Sequence, residues 1–105
     1  MYVRTKKGEI FECYESEQMH KPIYYPKKSK TKGYIDYGDV YKKSNNIIDI
    51  LEVEDYVNGS YVEGFIEKNK FQIKLIITEA GMIDNNDIKS IVTKEQFKNM
   101  EYEVK

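Results

Sequence analysis

Arginine, alanine, histidine and cysteine each occur once in this chain, as Arg4, Ala80, His20 and Cys13. Tryptophan is absent, and the only prolines are Pro22 and Pro26. Each shortage excludes something. A lone cysteine rules out an intrachain disulfide framework and an all-cysteine zinc site. A single histidine leaves little for metal ligation or triad chemistry. No apolar run approaches the roughly 20 residues that span a bilayer, so no membrane segment is expected. Met1-Tyr2-Val3-Arg4 is not followed by an apolar stretch, so no secretory leader is expected. There is no G-x-G-x-x-G, Walker loop, H-E-x-x-H or G-x-S-x-G. Cys13 and His20 sit seven positions apart with nothing to mark an oxyanion hole, and Cys13 reads as a small core residue. The expectation is a non-enzymatic protein with no cofactor and no metal.

What remains is enough for a core. The chain has 105 residues, which suits one domain over residues 1–105. Hydrophobic residues make up 40%, and fourteen Tyr and Phe argue against disorder. Lys, Ile, Tyr, Asn and Phe supply 50 of the 105 residues. These residues have AT-rich codons, which points to an AT-rich bacterial genome or its phage.

The patterning predicts a mainly β fold: a small antiparallel sheet or barrel-like domain with a short C-terminal helix near 93–100. Met1–Thr5 and Glu9–Glu15 read as strands around a Lys6-Lys7-Gly8 turn. Residues 16–33 hold both prolines and read as a long basic loop or an edge segment. Tyr34–Lys42 reads as a strand or hairpin around Gly38-Asp39, and residues 47–53 as a helical turn feeding a strand. Asn58-Gly59 is a strong hairpin signal. Lys68-Asn69-Lys70 reads as a second turn, before a strand over Phe71–Thr78 with Phe71, Ile73, Leu75 and Ile77 on one face. Residues 83–87 read as a turn and 88–92 as a strand. Thr93 with Gln96 forms a capping box for a helix that buries Phe97 and Met100, and Tyr102–Val104 could close the sheet. The acids Glu52, Glu54 and Asp55 read as the solvent face of a strand.

The net charge of −1 hides an asymmetry. Residues 1–43 hold ten basic and six acidic groups, and residues 44–105 hold seven and twelve. Lys21–Gly33 carries five lysines and no acid, and seven of the ten tyrosines lie in the first 41 residues. Lysines meet phosphate as point charges and tyrosines stack on bases. The candidate ligand-binding residues are therefore Arg4, Lys6, Tyr24, Tyr25, Lys27, Lys28, Tyr34 and Tyr37. The alternative is a solvated loop whose lysines keep the protein soluble. Arg4, the only side chain able to make a bidentate fork, is either an exposed strand charge or the anchor of the site.

Two stretches, residues 46–59 (NIIDILEVEDYVNG) and 87–97 (DIKSIVTKEQF), resemble a group of small phage and prophage proteins of AT-rich Gram-positive bacteria. In that group Gly usually stands where this chain has Glu54, which predicts a differently built turn before Asp55. The shared residues are aliphatic, turn and cap positions, so the resemblance carries no binding residues. It implies a cytoplasmic setting in an infected host cell and a role against host defence. One such class consists of oligomeric sponges for nucleotide immune signals. Another inhibits CRISPR effectors by protein contact.

The leading expectation is a counter-defence protein that sequesters a small (cyclic) nucleotide, as a homo-oligomer. The rivals are a protein-binding inhibitor of a host defence effector, its acidic part imitating nucleic acid, and a nucleic-acid-binding accessory protein.

Overall fold

The computed structural model describes residues 1–18, 20–28, 33–68 and 73–100. It is mainly β, with 52% strand in two antiparallel five-stranded sheets and one short C-terminal helix. Neither sheet closes into a barrel. The chain divides into two compact units, residues 1–50 and 51–105.

Unit 1 holds β1 (Tyr2–Thr5), β2 (Ile10–Gln18), β3 (Lys21–Pro26), β4 (Ile35–Asp36) and β5 (Val40–Ser44), ordered β4-β3-β2-β1-β5. Gly8, at φ 89°, makes the first turn, a conformation glycine enters without steric cost. Residues 16–18 and 21–26 differ from the loop reading, because the former extend β2 and the latter form β3. The prolines fit for a geometric reason. Lys27 N–H donates to Glu12 O on β2 (2.8 Å), so by alternation the even positions of β3 point their backbone nitrogens the other way. On that side β4 covers only Ile23 and Tyr24, and Pro22 and Pro26 flank the covered pair.

Tyr34–Lys42 does not form a hairpin. β4 pairs with β3 and β5 with β1, so the chain crosses between opposite edges through a 3₁₀ turn at Tyr37–Asp39. The buried Val3, Cys13, Tyr24 and Ile35 form the core on one face, with Met1, Phe11 and Val40 packed against them. A second 3₁₀ turn, Ile47–Ile50, gives the expected helical turn but buries Ile48 and Ile50 rather than Ile47, and residues 51–55 run through a turn instead of the expected strand.

Unit 2 holds β6 (Tyr56–Val57), β7 (Ser60–Lys68), β8 (Ile73–Thr78), β9 (Gly81–Ile83) and β10 (Ile91–Val92), ordered β10-β6-β7-β8-β9, and α1 (Lys94–Met100). The β6–β7 turn is Asn58-Gly59, with φ 52° and 81°, the double left-handed pair that matches strand twist. Leu51, Val57, Val62 and Ile76 are buried. On β8 the inward face is that of Ile76 and Thr78, not the one carrying Leu75 and Ile77.

The capping box forms as read. Thr93 Oγ1 accepts Gln96 N–H (3.3 Å) and Gln96 Oε1 accepts Thr93 N–H (3.1 Å). Phe97 is 48% exposed rather than buried, and stacks on Tyr56. The acidic stretch is not the face of a strand either: Asp55 is fully buried. The expected turn at Asn69-Lys70, the strand start at Phe71, the side chain of Met100, the closing strand Tyr102–Val104, and Lys30 and Lys32 lie outside the described residues.

Among the described residues no helix is long and apolar enough to cross a membrane, and no cluster of His, Cys, Asp and Glu could hold a metal ion.

Candidate functional site

A groove of about 390 Å³ runs along β5, an edge strand of the unit 1 sheet. Its floor is Tyr24 of β3, fully buried. Tyr37 and Gly38 come from the 3₁₀ turn, and Tyr41, Lys42 and Lys43 from β5. Lys6, from the turn after β1, completes the wall, fixed by its N–H bond to Asp39 O (3.0 Å). The β1–β5 register pairs Arg4 with Lys42 and Thr5 with Val40, which leaves Tyr41 in a bulge. Bulges re-aim side chains, and this one brings the Tyr41 ring within 5.6 Å of the Lys42 ammonium and 5.8 Å of the Arg4 guanidinium.

Three ammonium groups therefore border one tyrosine-lined hollow. Lys43 Nζ pairs with Glu15 Oε1 at 3.2 Å and lies 5.4 Å from the Tyr24 ring centroid. The Tyr24 hydroxyl and then Glu15 hold its pKa above the usual lysine value. Among the described residues Lys6 has no ion-pair partner. The Tyr24 hydroxyl is buried; its oxygen faces the Lys43 ammonium, but no acceptor lies in geometry to take its proton. A buried O–H donor without an acceptor costs up to about 1–3 kcal/mol, so its persistence at the floor of a basic groove calls for a reason.

Three of the eight residues predicted from sequence line this groove: Lys6, Tyr24 and Tyr37. Arg4 is fully buried, its Nη1 donating to Ile50 O (3.0 Å), so it is not an exposed strand charge. Its guanidinium supports the Tyr41 ring. Tyr25 and Lys27 point to the opposite sheet face, as the period of two requires. There Tyr25 pairs with Tyr14, and Lys27 bonds Glu12 (3.3 Å) and sits 4.6 Å from the Tyr14 ring centroid. Lys28 lines a separate hollow of about 360 Å³ beside Ile10 and Phe11. Tyr34 is exposed and outside the groove.

Sequence reading missed Lys42, Lys43 and Tyr41. The available signal was the Val40–Ser44 strand itself, whose two adjacent lysines follow a tyrosine.

Burial raises the Cys13 thiol above its usual pKa, as for a core cysteine. His20 is exposed, at φ 67° in the link to β3. Glu54 lies at φ 81°, a left-handed conformation that glycine adopts more readily.

The chain matches no family model, no curated protein and no solved structure.

Proposed function

We propose that unit 1 binds a small phosphorylated nucleotide in the β5 groove and holds it without chemical turnover. The carrying observation is the rim of Lys6, Lys42 and Lys43 around the Tyr24 hydroxyl, whose proton has no acceptor within the fold. A phosphate oxygen accepts from the hydroxyl and the ammonium groups together, while Tyr37, 61% exposed, offers a ring on which a base stacks. Sequestration of a cyclic nucleotide signal by a phage-encoded homo-oligomer is the role this chemistry fits.

Native mass spectrometry with cyclic nucleotides, ADP-ribose and linear controls tests it. A discrete oligomer retaining one cyclic species is expected. Lys6→Glu with Lys43→Glu should weaken retention by at least about tenfold, the scale of a lost charged hydrogen bond. Lys27→Glu, on the other face, should leave it unchanged. Retention of no nucleotide by the wild type, or retention indifferent to the groove pair, sinks the reading.

A further inference from the structure

Unit 2 carries a second groove, of about 440 Å³, with different chemistry. Tyr56 on β6, Tyr61 on β7 and Phe97 on α1 build its aromatic wall. Tyr56 and Phe97 stack with centroids 4.8 Å apart and planes at 26°, and Tyr61 meets Tyr56 edge-on at 5.6 Å and 78°. Phe97 keeps 48% of its surface exposed, so aromatic surface remains open to a further group.

Glu54 lines the same groove. It sits at φ 81°, which L-residues avoid, and is pinned there by backbone bonds from Glu54 N–H to Val62 O (3.0 Å) and from Val62 N–H to Asp55 O (2.8 Å). Among the described residues no cation pairs with its carboxylate. Strain retained at a carboxylate beside open aromatic rings is the kind of outlier that marks a site.

Glu54 and Glu95 line the groove opposite Lys94 and Lys98, and at Tyr61 the acids dominate. Partial burial and then Glu54, Tyr56, Glu79 and Glu63 push the Tyr61 hydroxyl above its usual pKa. Of the two lysines at the groove, Lys94 is engaged by Glu52 at 2.7 Å, and Lys98 is the opposing charge.

We propose that this groove receives an arginine side chain from a partner protein. Its guanidinium stacks on the exposed Phe97 ring while its fork meets the Glu54 carboxylate. A flat, weakly hydrated cation suits a stacked aromatic wall and a carboxylate better than a compact ammonium does. A second copy cannot supply it, because the chain's one arginine is Arg4 and Arg4 is fully buried. The inference stands apart from the nucleotide reading, since no residue of the β5 groove takes part.

The test is an NMR titration of the whole protein with acetyl-arginine amide, acetyl-lysine amide and acetyl-leucine amide, read at the Tyr56, Tyr61 and Phe97 ring signals. The arginine probe should bind at least about fivefold tighter than the lysine probe, with Glu54→Gln erasing most of the difference. Lys98→Gln should tighten arginine binding. Glu54→Gly separates function from folding: it should lose binding without lowering Tm, because glycine takes this φ freely. The proposal is overturned by no response to arginine, by an equal response to leucine, by lysine binding as tightly as arginine, or by full affinity in Glu54→Gln.

Discussion

Asp55 Oδ1 accepts the backbone N–H of Lys94 at 2.8 Å, across 39 positions of sequence, while its Oδ2 accepts Glu52 N–H at 2.7 Å. One buried carboxylate thus ties the turn before β6 to the first residue of α1. A seven-residue helix is too short to hold itself, and it depends on such ends.

Asp55→Asn should therefore destabilise the protein by about 1–3 kcal/mol, because one acceptor becomes an N–H₂ facing a buried N–H. Denaturant unfolding measures this, and circular dichroism should show α1 fraying first. Unchanged stability would mean that the carboxylate does not hold the helix.

Alkaline pH should weaken the fold. Three groups sit above their ordinary pKa: Cys13 (ordinarily 9.0) chiefly through burial, Tyr61 (10.0) through partial burial and then Glu54, and Lys43 (10.5) through Tyr24 and then Glu15. In each case the folded state holds the proton more tightly than the unfolded chain does. The stability this contributes is complete below about pH 9 and is lost as pH rises through the raised values. Urea midpoints should be flat from about pH 7 to 9 and then fall, with Cys13→Ala removing the earliest part of the decline.

The strongest local signals in the sequence correspond to elements whose partners are close in the chain. Asn58-Gly59 needs only its own backbone to take two positive φ values, and Thr93 caps a residue three positions on. Asp55 was misread because its partner at Lys94 is far away in sequence, and nothing around Glu52–Asp55 announces burial. The groove was half legible. Reading the tyrosines and lysines of 21–37 as one surface ignored the alternation of β3, which sends Tyr24 inward and Tyr25 and Lys27 to the other face. Lys42 and Lys43 reach the groove only because β5 crosses to the far edge of the sheet, a topology no local pattern specifies.

Tyr24→Phe separates the binding role of the β5 groove from its contribution to stability. The hydroxyl is buried and its proton has no acceptor, so deleting it removes a desolvation cost that outweighs its contact with Lys43, and leaves ring packing intact. Stability should hold or rise by up to about 1 kcal/mol, in contrast to the loss usual for core substitutions. Nucleotide affinity should fall about tenfold, since the phosphate loses a buried donor that solvent cannot replace. Paired thermal melts and isothermal titrations decide it. A variant that melts lower would show the hydroxyl satisfied within the fold, and one that keeps full affinity would place the phosphate elsewhere. A variant at least as stable that binds weakly would show that the fold tolerates an unsatisfied hydroxyl because a ligand satisfies it.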